Sequence, residues 1–325
     1  MSYVFGPVPS RRLGQSLGVD TIPLKTCNWN CVYCQPGRTR PVLEERREYY
    51  PRAAILREVG RALQRHEPGE IDRVTFVGSG EPTLHAGLGW LIREVKRLSD
   101  LPVAVITNGS LLGDAEVCAE LLAADAVLPS LDAGSASLYK HLNRAHPAAT
   151  FHRHLHGLIS FRRAYRGRFW LEVMLVRGLN DTASALRALA EAIDIIQPDE
   201  VHLSPPTRPP VESWVAPPTA AGIMRAQAIL GKVAHVVHPA AGAYAIPPDA
   251  DPVEAIVDII RRHPMRDAEM RETLAHHSDT PQHILTRLHA DPRAKLVRRH
   301  GTYFWIAADA YFPPAGQSAR TAPQR

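Results

Sequence analysis

The sequence predicts an α/β fold in which a partial (β/α)6 barrel, open rather than closed, precedes a smaller C-terminal domain. Three observations point there. Short β-rich runs alternate with helical patterns from about residue 16 to 204, several of those runs are apolar almost without a break, and beyond a Pro- and Ala-rich stretch at 239–252 the pattern changes. Near-continuous apolar runs such as 74–77 and 103–106 fit strands covered on both faces, which belong to parallel sheets with helical crossovers. About six β/α units fall short of a closed eight-fold barrel. An open doubly wound sheet is the rival, and periodicity alone does not separate the two.

Strands are expected at 16–22, 71–77, 103–107, 126–131, 169–176 and 200–203, with helices at 51–66, 86–98, 111–123, 148–165 and 182–196. In the first helix Pro51 suits the first helical position, and Ile55, Leu56, Val59 and Leu63 follow the helical period. In the last, Asp181 or Thr182 can cap the start, and Pro198 follows the end. The barrel is assigned 1–238, a linker 239–252, the second domain 253–310 and a disordered tail 311–325. Within the second domain, helices are expected at 253–263, 266–276 and 280–290, the last with Thr280 as N-cap and Pro281 at its first position. Runs at 295–297 and 303–306 then flank a turn containing Gly301. Three helices followed by a hairpin resemble a winged-helix domain.

Hydrophobic residues make up 45% of the chain, ordinary for a globular protein with a sizeable core. A net charge of +5 permits an anionic partner without requiring one. Residues 1–12 carry two prolines and lack the apolar core of a secretory signal. No run approaches the roughly 18 apolar residues that cross a bilayer. A soluble, cytoplasmic protein with no membrane partner is therefore expected. Three of the four cysteines crowd into eight residues, which in that compartment suggests metal rather than disulfides.

Those three lie in Cys27-Asn-Trp-Asn-Cys31-Val-Tyr-Cys34, just after the first expected strand. Three thiolates so close can ligate three irons of one cubane cluster. Iron–sulfur clusters usually take four cysteines. The fourth, Cys118, falls in an expected helix far along the chain and reads as a buried helix residue. An iron without a protein ligand is free to bind a small molecule. The rival is zinc, held by these cysteines and a histidine. Zinc sites usually pair C-x2-C with a second pair at measured spacing, and none is obvious here.

The C-x3-C-x2-C loop, with the aromatic Tyr33 before its last cysteine, resembles the defining loop of the radical S-adenosylmethionine (SAM) superfamily. The resemblance implies a [4Fe–4S] cluster on Cys27, Cys31 and Cys34, with SAM chelating the open iron and breaking reductively to a 5′-deoxyadenosyl radical. It also implies an electron donor such as flavodoxin or ferredoxin. The cofactor carries that chemistry and the protein orients it. Gly78-Ser79-Gly80-Glu81-Pro82 ends the second expected strand, where such enzymes carry a Gly-Gly-Glu-Pro type motif. Glycines let a backbone approach a ligand closely, and exposed carbonyls and Glu81 can accept hydrogen bonds from the SAM ammonium. Asn108 at the end of the third strand, Ser130 and Asp132 at the fourth, and Glu172 within the fifth are polar groups that need partners. In the family, ribose and methionine contacts come from these levels. Tyr33, Gly78, Ser79, Gly80, Glu81, Asn108, Ser130, Asp132 and Glu172 are thus the candidate cofactor contacts, and no catalytic residue is assigned.

Residues 5–20, beginning Phe5-Gly-Pro-Val-Pro-Ser, are more specific. With Gln35-Pro-Gly-Arg38-Thr39, Val176-Arg-Gly-Leu-Asn180-Asp181 and Leu203-Ser-Pro-Pro-Thr-Arg208-Pro-Pro, they resemble a bacterial branch of the superfamily grouped near the tRNA wyosine synthases. The resemblance covers most of 3–215 and implies a tRNA or other RNA substrate. The archaeal wyosine synthases carry a second cluster on three further cysteines, whereas only Cys118 is to spare here. They also have a catalytic lysine attributed to them, and Lys25 sits close to the cysteine loop. Arg11 and Arg12 can grip a carboxylate or phosphate. The basic stretch Arg293, Lys295, Arg298, Arg299 and His300 falls on the expected wing, where nucleic-acid binders neutralise phosphates. Two other readings stay open: radical modification of a peptide or small metabolite, and a cluster-sensing winged-helix transcription regulator without catalysis.

Overall fold

The apolar runs of the first 240 or so residues pair side by side in the order in which they occur along the chain. The computed structural model describes residues 2–10, 12–237, 243–246, 250–299 and 301–310. Its main sheet has eight strands in sequence order: β1 (Val4–Ser10), β2 (Gly14–Val19), β3 (Arg73–Phe76), β4 (Val103–Thr107), β5 (Ala126–Pro129), β6 (Arg168–Met174), β7 (Glu200–Ser204) and β8 (Ala234–Val236). From β2 onward every neighbouring pair is parallel, while β1 runs antiparallel to β2. A doubly wound sheet reverses its strand order at a switch point. This sheet never does, and its two edges, β1 and β8, stay unjoined, as in an opened barrel.

The crossovers are α1 (Arg52–Arg65), α2 (Leu88–Leu98), α3 (Ala115–Leu121), α4 (Ala136–Leu142), α5 (Phe151–Ala164), α6 (Ala183–Ile196) and α7 (Ala220–Leu230). On α2, Leu88, Leu91, Ile92 and Val95 recur at helical spacing and are all buried against the sheet. Thr182 caps α6, its hydroxyl accepting from the Ala185 N–H, and the left-handed Gln197 ends it before Pro198. Leu17, Val74, Phe76, Val105, Phe169 and Val201 form the sheet's part of the core.

Four elements of the barrel go beyond the sequence expectation. β1 carries Pro7 and Pro9, which lack donors, and an edge strand is where a sheet tolerates them. α4, α7 and β8 are short or weakly patterned. Two caps also differ: Pro51 is the N-cap of α1 rather than its first residue, and Thr280 makes no side-chain capping bond.

The chain closes with α8 (Pro252–Arg262), β9 (Met265–Arg266), α9 (Asp267–His277), α10 (Pro281–Ala290), β10 (Ala294–Arg299) and β11 (Thr302–Ala307), the three strands forming an antiparallel sheet in the order β10-β11-β9. Gly301 takes the positive φ that the β10–β11 turn demands. Ile256, Ile260, Met270, Leu274, Leu288 and Trp305 build a core separate from that of the barrel. Tyr244 and Ile246, expected in the linker, are buried in this second core, so that part of the segment belongs to the unit it leads into. Residues 238–242 and 247–249, the tail 311–325, Arg11 and His300 lie outside the described residues.

This unit is docked onto the barrel by two arginines. Arg262 donates from Nε to Asp20 Oδ2 at 2.8 Å and from Nη2 to the Ser2 carbonyl at 2.6 Å. Arg208, beyond β7, donates from Nε to the Pro264 carbonyl at 2.9 Å. Among the described residues no helix is long and apolar enough to cross a membrane.

Candidate functional site

The cysteine loop leaves the end of β2 and is pinned at both flanks. Its backbone donates from Asn30 and Val32 to the carbonyls of Asn143 and Leu142 at the end of α4, at 3.0 and 2.9 Å. Between the cysteines, the fully buried Asn28 donates to Ser110 Oγ and accepts from Asn108 Nδ2, both at 2.7 Å. Trp29 fills the space behind the loop, edge-on to Tyr139 and His154. The sulfurs have donors of their own. Trp29 N–H points at Cys27 Sγ from 3.3 Å, Asn108 and Asn143 amides lie 3.8 Å from Cys27 and Cys31, and Lys25 Nζ is 2.8 Å from Cys34.

Burial pushes the Cys27 thiol up to about 12 and the Cys31 thiol well above its ordinary value. Buried thiols give up their protons only where positive charge compensates them, as bound iron does. Two such thiols, with Cys34 beside Lys25 and hydrogen bonds ready for all three sulfurs, fit a cluster held on three corners.

The second loop follows β3 and interlocks with the first. Lys25 N–H donates to the Ser79 carbonyl at 2.8 Å, and Glu81 N–H donates to the Thr26 carbonyl at 3.0 Å. At Gly80 a Cβ would stand 2.0 Å from that Thr26 oxygen, so no other residue fits. Gly78 is held likewise: a Cβ there would meet the Asp20 carboxylate at 2.5 Å.

Glu81 ties this loop to β4. Its Oε1 accepts from Thr83 N–H, Thr83 Oγ1 and Thr107 Oγ1 at 3.0, 2.6 and 2.6 Å, and its Oε2 from Asn108 N–H at 2.6 Å. Burial raises its pKa despite these donors. Oε1 is saturated, whereas Oε2 has one partner and retains acceptor capacity.

All three cysteines open on one cavity of about 470 Å³, and every expected cofactor contact lines it except Ser79. Ser79 is a correction. Its hydroxyl donates to Asp20 Oδ2 at 2.5 Å and its side chain is buried behind the wall, braced against the aspartate that also holds Arg262. Asp132 is buried in the cavity wall. Its Oδ2 takes the Tyr33 hydroxyl and, at 2.6 Å, the Asn143 amide, while its Oδ1 takes Met174 N–H at 2.8 Å. Burial raises its pKa too. Asn108 has its amide engaged by Asn28 and Ser110. Ser130 bridges β5 to Thr107 through its N–H at 3.1 Å.

Glu172 is ion-paired with Arg12. Arg12, expected to grip an outside anion, therefore grips a carboxylate of its own chain. Burial, which brings its pKa down to about 10, makes such a counter-charge necessary.

Two other expectations change with the structure. Cys118 is only half-buried on α3, against the barrel core and away from the cavity. Arg293 is held by two carboxylates, Glu254 at 2.7 Å and Asp291 at 2.7 Å, so its charge is neutralised locally and it is not offered to phosphates. Lys295 donates to the Ala308 carbonyl at 3.0 Å, and Arg298 lies over the Tyr303 ring.

Asn28, Asn143, Asp20 and Arg262 carry much of this geometry without having stood out in the sequence. Asn28, between two cysteines, gave a local signal. The other three act through partners far along the chain.

Comparison with known proteins extends these observations. A UPF0026 protein of Methanocaldococcus jannaschii is 37% identical over 233 residues, covering 72% of each chain. A protein of Brachyspira hyodysenteriae named GTPase Obg is 45% identical over 205 residues, which are 63% of this chain but 30% of that protein, so this chain spans under a third of that relative. A solved radical SAM methyltransferase from Sphaerobacter thermophilus shares the fold at a TM-score of 0.52 and 18% identity, over 68% of this chain and 65% of that one. The profile of the Radical SAM superfamily matches residues 21–190, from just past β2 into α6, and takes in both interlocked loops. On that match this chain belongs to the radical SAM superfamily, whose enzymes work with a [4Fe–4S] cluster and S-adenosylmethionine.

Proposed function

We propose that this chain is a radical SAM enzyme in which Cys27, Cys31 and Cys34 hold the cluster, and whose substrate is an RNA. The observation that carries the first part is the shared cavity, on which the three thiols open together with Glu81, Asn108 and Asp132. When bound, the cluster supplies the electron that splits SAM into methionine and a 5′-deoxyadenosyl radical.

The chain's own groups prepare the place. Trp29 N–H and the Asn108 and Asn143 amides steady thiolate charge on Cys27 and Cys31, and Lys25 offsets it at Cys34. Glu81 Oε2 offers an acceptor for the SAM ammonium, and the carboxylates of Glu81 and Asp132 suit a ligand that carries a sulfonium. Val32, Val176 and Val215 pack beneath Tyr33 and keep water from that side. A flavodoxin or ferredoxin is the electron donor in this reading.

The RNA reading rests on the second unit. Its order, helix, strand, helix, helix and two strands, supports the winged-helix reading. Its hairpin carries Lys295, Arg298 and Arg299 beside the half-exposed ring of Tyr303, which suits phosphates and a stacked base.

The test is anaerobic reconstitution followed by incubation with SAM and dithionite. About four irons per chain and release of 5′-deoxyadenosine are expected. Intact SAM beside a stable cluster would favour a cluster-sensing regulator. Cleavage without RNA binding would favour a peptide or metabolite substrate.

A further inference from the structure

Among the described residues three arginines line the cavity, and two of them have a carboxylate. Arg12 is paired with Glu172 and Arg262 with Asp20. Arg208 is different. Its Nε donates to the Pro264 carbonyl at 2.9 Å and its Nη2 to the Tyr244 hydroxyl at 3.4 Å, both neutral partners. No carboxylate of the described residues pairs with it, and its Nη1 makes no hydrogen bond to them. A guanidinium drawn partly out of water without a counter-charge is costly to keep.

The residues beside Arg208 are donors as well. The Tyr244 hydroxyl already accepts from Arg208 and keeps its own proton, since burial pushes its pKa up to about 12. It can donate that proton into a hydrogen bond. His263 also lines the cavity and makes ring contact with Tyr244 at 5.7 Å, and its nitrogens have no hydrogen-bond partner among the described residues. Burial first, and then the charge of Arg208, hold its pKa well below the ordinary value. A neutral imidazole still carries one N–H.

We infer that Arg208, Tyr244 and His263 form an anion subsite that receives a carboxylate or phosphate group of the substrate. The arginine edge offers a charge-assisted contact of the kind that holds either group, and the hydroxyl and ring N–H supply the remaining donors. The site lies at the seam between the barrel and the second unit, with Arg208 from the former and His263 from the latter. The carboxylate-rich wall of the same cavity suits the positive groups of SAM, so the two ligands sort by charge. This inference rests on the reading of the cavity as the place where substrate meets SAM.

The test uses the full chain, anaerobically reconstituted and checked for iron content and SAM binding. It is dialysed to equilibrium against labelled inorganic phosphate and, in a second arm, labelled acetate. Saturable binding at one site per chain is expected. Arg208→Ala should weaken it by about tenfold or more, as loss of a charged hydrogen-bond partner does. Arg208 also holds Pro264, so Tyr244→Phe serves as the second variant. It leaves that tie in place and should weaken binding by roughly fivefold. Arg163→Ala, an exposed arginine on α5, should change nothing. Tighter binding of phosphate assigns a phosphorylated substrate, and tighter binding of acetate a carboxylate.

Equal affinity in wild type and Tyr244→Phe overturns the subsite. So does the absence of saturable binding to a wild type that holds its iron and binds SAM. A wild type that takes up no iron counts against the proposed function instead, while the anion titration still decides for or against the subsite.

Discussion

Glu81 and Asp132 in the cavity wall, and Glu254 and Asp291 beside the β10–β11 hairpin, are carboxylates in contrasting surroundings. The first two are buried and accept hydrogen bonds from donors at fixed backbone and side-chain positions, and burial still raises their pKa values. Of the second two Glu254 is exposed and Asp291 half-buried, and hydrogen bonds from Arg293 hold both below the usual range, Asp291 at about 2. In the proposed reading charge in the wall is there to meet a ligand, while charge at the hairpin is cancelled by the nearest opposite charge. The same chemistry would serve recognition in one place and makes local ion pairs in the other. Counting charged residues does not tell the two apart, but burial and partners do.

That contrast can be broken most forcefully at the cysteines. Cys27→Ala, Cys31→Ala and Cys34→Ala should each abolish iron uptake on reconstitution, read by iron analysis and visible absorption. Cys118→Ala should load about four irons like the wild type.

Next in size is the buried pair that ties the two regions. Asp20→Ala leaves the Arg262 guanidinium buried without its counter-charge, at a cost of about 3–5 kcal/mol by urea denaturation. Combining it with Arg262→Met should restore part of that loss. A single mutant as stable as wild type would show that the second unit is not held through this pair.

His154 gives a pH test of the barrel side. Burial lowers its pKa from 6.5 to about 4, so between those values the unfolded chain binds the proton and the folded one does not. Stability should fall as pH drops through that window, by roughly 3 kcal/mol in all, and stay level above it. His154→Gln should flatten this acid limb, measured as melting temperature against pH.

The smallest effect belongs to the hairpin. In RNA binding across a salt series, Arg298→Ala and Arg299→Ala should each reduce the salt slope by about one unit. Arg293→Ala should leave the slope unchanged, because its charge is already matched.

What was legible in the sequence is what is local. Three ligands within eight residues announce a cluster because one loop must deliver them. Gly78 and Gly80 mark a close backbone approach wherever they occur. The strand and helix periods of β3 to β7 read correctly because parallel strands bury both faces. β1 was missed because its prolines argue against a strand, and only its place at the edge makes them harmless. Ser79 was misassigned because the loop turns it toward Asp20, which is 59 residues away in sequence. The pairing of Arg293 with Glu254 spans 39 residues and leaves no periodic trace. Asn143 sits at the end of α4, too short a helix for its pattern to have been seen.

The bond from Arg262 to Asp20 joins residues 242 positions apart. Such a contact cannot form until the ribosome has passed residue 262, and contacts of long sequence separation are slow to close in any case. Cys27, Cys31 and Cys34 therefore emerge well before α8 and wait with one side of their cavity unwalled. In the proposed reading, cluster delivery would have its widest access in that interval, before α8 arrives to seat the second unit.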